Sequence, residues 1–266
     1  MKNFIVISLI LVLLGCSTVP KTGRSQLELV PDGQMVSLGQ SSYQQFLSQN
    51  KLSTDAEKTA MVKRVSQKIA SAVEQYLTQE NRLKNIEGFN WEFNLIESKE
   101  VNAWCMPGGK IVVYTGILPI TQDETGLAVV LGHEIAHAVA HHGNERMSQG
   151  LIAQLGGTAL QVALARKPQQ TQQLYMTVFG AAANVGYLLP YSRLQESEAD
   201  YLGLIFMAMA GYDPQAAVPF WERMAAQGGS KPPEFMSTHP SDETRAKNLQ
   251  KNMNEALSYY NNSAKK

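Results

Sequence analysis

The sequence predicts a mainly helical α+β fold with one small, largely antiparallel sheet. Long stretches of the chain carry apolar residues at the three- and four-residue spacing of an amphipathic helix. Residues 90–98, NWEFNLIES, instead alternate apolar and polar side chains with a period of two, which indicates a strand. Two further strand-like segments, VNAWC and KIVVYTG, flank the turn sequence MPGG, and this arrangement predicts a hairpin.

Length and charge restrict the class of protein. The chain has 266 residues, which is long enough for one large domain or two small ones. Its residues are 44% hydrophobic and 17% charged, an ordinary composition for a globular protein. The formal net charge is zero and the sequence has no basic stripe. A nucleic-acid partner is therefore not expected.

The N-terminus predicts a targeting segment. Lys2 is followed by an apolar run of about the length of a signal peptide, which is too short for a comfortable membrane span. The run ends in LLGC, which resembles the lipobox of bacterial lipoproteins, where the cysteine, here Cys16, becomes acylated. The resemblance and the following Ser17 imply sorting to the outer membrane. The alternative is an ordinary signal peptide with an incidental cysteine.

These features divide the chain into three predicted parts. Residues 1–15 form a lipoprotein signal peptide, residues 16–33 a lipidated tether rich in proline and glycine, and residues 34–266 a single domain. If Cys16 carries lipid, Cys105 has no partner for an intramolecular disulfide. We interpret Cys105 as a small buried thiol, and a redox or intermolecular role is the alternative.

The predicted helices before and after the sheet follow from apolar spacing and capping residues. Helices are expected at 34–50 and at 54–80, the second after a Ser/Thr/Asp start. The helix after the sheet is expected to begin with a capping box formed by Thr121 and Glu124, and to run to about His142 before it stops at Gly143. Later helices are expected at 193–214, 214–226 and 242–260.

Residues 147–190 predict an apolar helical hairpin, divided near ARKPQQTQQ. The second arm is nearly apolar for seventeen residues, LYMTVFGAAANVGYLLP. A membrane span is one interpretation, but Asn184 and the short length oppose it. A buried helix or a lid over a site is the preferred interpretation.

The segment LGHEIAHAVAHH, at 131–142, holds four of the five histidines in the chain. On a helix, His133 and His137 lie one turn apart on one face, so both imidazoles can reach one metal ion. Glu134 projects about 100° away, where a carboxylate can act as a base without coordinating the ion. This H-E-x-x-H pattern predicts a catalytic metal site, because such a site needs neutral nitrogen ligands and a base.

A catalytic zinc site needs a third protein ligand, and ESEAD at 196–200 is the best source. Glu196 and Asp200 are four residues apart and share a helical face, whereas Glu198 points roughly the other way. One carboxylate could bind the metal while the other accepts the free N–H of a ligating histidine. The alternative is a solvated acidic patch at the start of a helix.

The remaining histidines receive other roles. His141 and His142 lie at the predicted helix end, where polar side chains satisfy terminal carbonyls, and we interpret both as structural. His239 is isolated in a loop before Pro240. In a peptidase it would be a candidate donor to the oxyanion that develops during the reaction.

These segments together resemble a zinc metallopeptidase family. The family contains the heat-shock membrane protease HtpX, the CAAX prenyl endopeptidase and the mitochondrial Oma protease, and its bacterial lipoprotein members such as LoiP are the most similar in layout. The matching segments appear in the family's order and cover roughly residues 20–255: NAWCMPGGKIVVYTGIL, LGHEIAHAVAHHGNERM, SRLQESEADYLGL and STHPSDETR.

The resemblance implies a zincin-like, gluzincin-type fold that binds one zinc ion per chain. It implies His133, His137 and Glu196 as the zinc ligands, and it implies that Asp200 contacts a ligand rather than the zinc ion itself. His239 matches the family's histidine–proline position near the reaction centre. The strand around 101–105 would bind an extended substrate by adding it to the sheet edge.

We therefore expect a zinc-dependent endopeptidase with Glu134 and His239 as catalytic residues. It would be anchored by lipid in the outer membrane, face the periplasm, and cleave unfolded or misassembled envelope proteins. Two alternatives remain open at this stage. One is an envelope-assembly factor or chaperone with latent proteolysis, and the other, opposed by Glu134 beside an open coordination position, is a purely structural zinc site.

Overall fold

Residues 16–184, 188–227 and 242–263 are described by the computed structural model of this chain. The strands are β1 (Cys16–Thr18), β2 (Ser25–Leu27), β3 (Glu92–Ile96), β4 (Ala103–Met106) and β5 (Lys110–Tyr114). The first four helices are α1 (Asp32–Gln49), α2 (Ala56–Gln79), α3 (Leu118–Thr121) and α4 (Glu124–Val139). The later helices are α5 (His142–Leu164), α6 (Gln169–Ala183), α7 (Leu189–Met209), α8 (Ala217–Gln227) and α9 (Asp242–Ser263).

The N-terminal segment is folded onto the domain. β1 and β2 pair as an antiparallel hairpin, and Val19 at its turn is fully buried. Gly23, with φ 67°, donates its backbone N–H to the carbonyl of Val19 and closes the turn. The prediction that residues 16–33 form a tether outside the fold was therefore wrong. The glycine that suggested a flexible linker is used in a tight turn instead.

The two helices that follow agree with their predicted positions. Asp55 caps α2 by accepting a hydrogen bond from the backbone N–H of Lys58 at 3.0 Å, as the Ser/Thr/Asp start predicted. The predicted apolar stripe of α2 is buried in the main hydrophobic core, where its fully covered members are Val62, Val65, Ile69, Val73 and Leu77. The core joins this helix to the sheet, to α4 and to α7.

The sheet has the strand order β3-β5-β4. The predicted hairpin is confirmed, because β4 and β5 pair antiparallel across Gly108 and Gly109, which both have positive φ. The prediction that the sheet is largely antiparallel was wrong for β3, which pairs parallel with β5. After the turn, β5 runs antiparallel to β4 and lies between β4 and β3. In this position it runs in the same direction as β3. β4 pairs with β5 on one side only and forms an edge of the described sheet.

Helix α4 begins and ends at other residues than those predicted. Asp123 caps it by accepting a hydrogen bond from the backbone N–H of Gly126 at 2.8 Å. Thr121 ends the short helix α3 instead, and Gln122, with φ 67°, separates it from α4, so the predicted capping box does not form. The helix ends at Val139 rather than near His142, because His141 adopts a left-handed conformation with φ 56°.

Helices α5 and α6 form the predicted hairpin. The ring of Phe179 on α6 packs against Gly156 and Gly157 of α5. The interpretation of the second arm as a buried helix was wrong, because none of the described residues of α6 is buried. Across the described residues, no helix has an apolar stretch long enough to cross a membrane.

The crossing of α4 and α7 brings two backbones into contact. A side chain on Gly132 would lie 2.7 Å from the carbonyl oxygen of Gly203, and a side chain on Gly203 would lie 2.7 Å from the amide nitrogen of His133. Only glycine at both positions permits this approach. The acidic N-terminal half of α7 is thereby held directly beside the histidines of α4.

Candidate metal centre

Two helices bring three buried side chains to one point. His133 and His137 extend from α4, and Glu196 extends from α7. The two Nε2 atoms lie 3.1 Å apart, and the Glu196 carboxylate lies 3.2 Å from Nε2 of His137 and 3.5 Å from Nε2 of His133. One ligand atom from each residue falls within 4.8 Å of the others. Two imidazole nitrogens and a carboxylate oxygen form a donor set suited to a zinc ion.

Asp200 fixes the orientation of His133. Its Oδ1 lies 2.9 Å from Nδ1 of that histidine, and a carboxylate can only accept a hydrogen bond there. Nδ1 therefore carries a proton, and Nε2 is the nitrogen that can offer its lone pair to a bound ion. The structure thus places Asp200 against one of the candidate ligands, and its supporting role at a metal centre stays a prediction.

Arg245 on α9 supports both carboxylates. Its Nε donates to Oδ2 of Asp200 at 2.7 Å, and its Nη2 donates to Oε2 of Glu196 at 3.0 Å. The guanidinium group stacks on the ring of Trp221 at 3.8 Å from the ring centroid, and the same ring contacts His133 edge-on. The cation compensates the negative charge that would otherwise accumulate on this buried face of α7.

His142 holds the second histidine from the other side. Its Nδ1 lies 2.9 Å from Nδ1 of His137, and its Nε2 lies 3.2 Å from Oε2 of Glu198. Because Glu198 can only accept, Nε2 of His142 carries a proton and its Nδ1 accepts a hydrogen bond from the Nδ1–H of His137. Nε2 of His137 could then offer its lone pair to a bound ion. His142 is fully buried and contacts a candidate ligand rather than the carbonyls of a helix end.

Burial and charge set the protonation of the candidate ligands in the metal-free chain. Burial lowers the pKa of His137 to about 3, so this imidazole is neutral at physiological pH. Burial also acts to lower the pKa of His133, but the hydrogen bonds with Asp200 and Glu196 outweigh it and raise that pKa to about 10. A divalent cation at this point would replace the proton as the positive charge that satisfies the carboxylates.

Glu134 has the properties of a poised base. It follows His133 on α4 and remains partly accessible to solvent. Burial raises the pKa of its carboxyl to about 7, while the charge of His133 acts in the opposite direction. A base with a pKa near the working pH is well matched to proton transfer in both directions.

The other predicted site residues lie elsewhere or outside the described residues. His141 is about a turn beyond the ligands, where its Nε2 donates to the backbone carbonyl of Asn85 at 2.8 Å and its Nδ1 faces Glu28 at 3.2 Å. Cys105 is a free, half-buried thiol on β4, and burial raises its pKa well above the usual value. His239 lies outside the described residues.

Sequence reasoning missed three supporting residues: Arg245, Trp221 and His142 in this role. For Arg245 a signal existed, because two carboxylates on one buried helical face require a cation and the segment STHPSDETR supplies an arginine. The alternative interpretation of ESEAD as a solvated acidic patch was wrong, because Glu196, Glu198 and Asp200 are all buried.

Comparison with known proteins identifies the family of the chain. The family model described as peptidase family M48 matches residues 57–253, which include all three candidate ligands and Arg245. The chain belongs to peptidase family M48. Peptidases of this family are metal-dependent and generally use zinc, and a zincin-like fold fits the mainly helical M48 domain seen here.

The M48 chain is similar to curated proteins from several organisms. The mitochondrial metalloendopeptidase OMA1 of Arabidopsis thaliana is 39% identical over 178 residues, which are 66% of this chain and 35% of that protein. The human mitochondrial metalloendopeptidase OMA1 is 32% identical over 244 residues, 90% of this chain and 46% of that protein. The beta-barrel assembly-enhancing protease of Escherichia coli is 28% identical over 233 residues, 86% of this chain and 45% of that protein. The chain therefore spans about half or less of the length of these relatives.

Proposed function

We propose that this protein is a zinc-dependent endopeptidase that binds one zinc ion through His133, His137 and Glu196. The observation that carries the proposal is the convergence of these three buried donors beside Glu134. Membership of family M48 and the metalloendopeptidase names of its relatives support it. A purely structural site would not need a base with a pKa of about 7 beside the ligands.

The chemistry divides between the ion and the side chains. Zinc, when bound, supplies Lewis-acid polarisation of a carbonyl and a water molecule of lowered pKa. Glu134 accepts the proton of the attacking water and then delivers it to the leaving amine. Asp200 and His142 hold the two imidazoles in the tautomers that leave both Nε2 lone pairs for the ion. Arg245 keeps Asp200 ionised and orients the carboxylates of both Glu196 and Asp200.

His239 completes the proposed catalytic residues as a donor to the developing oxyanion. This role rests on the family resemblance of STHP. Loss of one such donor costs on the order of 10² to 10³ in kcat. His239→Ala should therefore retain zinc and lose most turnover. Full zinc with near-normal turnover would remove His239 from the mechanism, and lost zinc would make it a ligand.

The proposed substrates are proteins or peptides bound in extended form. β4 offers an unpaired edge within the described sheet, and a substrate strand could pair along it next to α4. We further propose that the substrates are unfolded or misassembled envelope proteins, and that Cys16 anchors the protein by lipid in the outer membrane, facing the periplasm. The lipobox-like LLGC and the similarity to the beta-barrel assembly-enhancing protease support this location.

The anchor has its own test. Cys16→Ala should yield protein that no longer fractionates with membranes, because the acyl chain is lost. Membrane association equal to that of the unmodified chain would reject the lipoprotein proposal. In that case the exposed apolar hairpin of α5 and α6 would become the candidate anchor.

A second candidate function is the binding of unfolded chains with proteolysis latent. The observation that favours it is the exposed apolar surface of the α5–α6 hairpin, whose most exposed large residues are Leu155, Val162, Leu174, Tyr175 and Val178. Surfaces of this kind serve in protein interactions.

Casein digestion with matched zinc analysis distinguishes the two functions. The unmodified chain should digest casein, and Glu134→Gln should retain zinc and lose about 10² to 10⁴ in rate. Equal digestion by both proteins would reject the peptidase mechanism. Rescue of an envelope defect by Glu134→Gln would favour the binding function instead.

A further inference from the structure

The N-terminal hairpin inserts one arginine between two helices of the candidate metal centre. Arg24 forms a forked ion pair with Glu145 of α5, with N–O distances of 2.6 and 2.8 Å. The same guanidinium group binds Glu198 of α7 through Nε at 2.9 Å and through Nη2 at 2.8 Å. One side chain therefore joins three segments that are distant in sequence.

Both carboxylates are almost completely buried, with side-chain exposures of 1% for Glu145 and 5% for Glu198. Two buried negative charges on facing helices repel each other and lose their hydration, so they require a shared cation. A planar guanidinium with five N–H donors can serve both at once, whereas an ammonium group cannot reproduce the fork. Thr22 of the same hairpin adds a hydrogen bond to Glu198 at 2.8 Å.

Two hydrogen bonds connect this ion pair to the proposed zinc ligand His137. Glu198 accepts a hydrogen bond from the Nε2–H of His142, and Nδ1 of His142 accepts a hydrogen bond from the Nδ1–H of His137. We propose that Arg24 is a positioning residue of the metal centre, acting through Glu198 and His142 to fix the tautomer and orientation of His137. This inference rests on the proposed zinc site. Arg24 lies outside residues 57–253, which the M48 family model matches.

The tautomer argument gives the direction of the effect. Without Arg24, Glu198 loses the cation that holds its carboxylate in place and becomes free to rotate away from His142. His142 then no longer has a fixed acceptor for its Nε2 proton and can carry the proton on Nδ1 instead. In that tautomer it faces His137 as a donor, so His137 must move its own proton to Nε2, where it blocks coordination.

The hairpin offers a matched control for a merely structural role. Arg82 holds the same hairpin at β1, where it donates to the backbone carbonyl of Thr18 at 2.9 Å and to the Thr18 side chain, and none of its hydrogen bonds to described residues goes to the metal centre. Arg82→Gln should loosen the hairpin and leave zinc affinity unchanged. Arg24→Gln should weaken zinc binding by about 10- to 100-fold, the usual cost of losing a supporting partner of a metal ligand. Arg24→Lys should recover only part of the loss.

Zinc affinity is measured by competition with a chelator on the full chain carrying Glu134→Gln, which prevents self-digestion. The visible spectrum of bound Co²⁺ reports the coordination geometry of the whole site, to which His137 contributes one ligand. In a His142→Ala background, Arg24→Gln should have no further effect on either readout, because its route to His137 is already broken. An additive effect there would overturn the inference.

Two further outcomes separate this inference from the proposed function. If Glu196→Ala abolishes zinc binding while Arg24→Gln leaves affinity and spectrum unchanged, Arg24 has no positioning role and the zinc site stands. If Glu196→Ala binds zinc as the unmodified chain does, the proposed site fails, and the role of Arg24 fails with it. Equal weakening by Arg24→Gln and Arg82→Gln would show that any loosening of the hairpin suffices, which also rejects the inference.

Discussion

Oδ1 of Asp200 lies 2.9 Å from Nδ1 of His133, although the two residues are 67 positions apart in the chain. The contact joins α7 to α4 at the point where the proposed zinc ligands meet. Asp200 is held in turn by Arg245, whose charge outweighs the effect of burial and lowers the pKa of the carboxyl. An ionised acceptor is therefore present behind His133 at neutral pH.

Asp200→Asn should weaken zinc binding by about 10- to 100-fold without removing the site. The amide keeps the size of the side chain but loses the negative charge that fixes the His133 tautomer. Chelator competition measures the change, and Glu57→Gln, at an exposed position on α2, is the control for loss of one negative charge. Unchanged affinity in Asp200→Asn would remove this residue from the metal centre.

The part of the site that sequence predicts is the part set by local helical geometry. His133 with His137, and Glu196 with Asp200, are each four residues apart, so one turn of helix places each pair on a common face. The sequence also indicated that Glu198 leaves the shared face. It could not show that Glu198 is buried, because its partner Arg24 is 174 residues away and no local period encodes that contact.

The errors in the fold have the same origin. Thr121 and Glu124 fit the spacing of a capping box, but Gln122 between them has a positive φ that interrupts the helix. Asp123 is the residue that caps α4. The parallel pairing of β3 depends on where β5 inserts, which the turn sequence alone does not specify. Periodicity therefore predicted the elements, and tertiary contacts decided their ends and neighbours.

Gly203→Ala should destabilise the fold by about 1 to 3 kcal/mol, because a methyl group there would overpack the contact between α7 and α4. The added carbon would lie 2.7 Å from the amide nitrogen of His133, so zinc content should fall as well. Thermal unfolding and metal analysis test this together. Gly150→Ala is the control, since a side chain on that residue of α5 meets nothing within 4 Å.

The control substitution Gly150→Ala should not destabilise the protein. Alanine is favoured over glycine inside a helix by about 1 kcal/mol, so Gly150→Ala should keep or raise the melting temperature. Wild-type stability and zinc content in Gly203→Ala would mean that the two helices can separate without cost to the centre.

Peptidase activity should decline as the pH falls below about 7. Burial raises the pKa of Glu134 to about 7, and only the ionised carboxylate can accept a proton. A bound cation favours the ionised form and moves this decline to a lower pH. The profile of kcat/KM against pH shows whether activity decreases or increases as the pH falls. Activity that increases below neutral pH would assign the base to another group.

Removal of zinc should lower the melting temperature, because an ion that binds only the folded chain stabilises it by mass action. Differential scanning calorimetry with and without a chelator measures the shift. Without a chelator, Glu196→Ala should already have the lower melting temperature of the zinc-free chain, and a chelator should not lower it further. A chelator effect that persists in Glu196→Ala would locate the stabilising ion at another position.

The ion pair between Arg24 and Glu198 also constrains how the chain folds. A contact that spans 174 residues closes a long loop, and contacts of this kind form slowly. During synthesis the hairpin leaves the ribosome early, yet its arginine has no partner on α7 until most of the chain has followed. Completion of the centre should therefore be a late event, so that an unfinished chain holds its active residues in an incompetent arrangement.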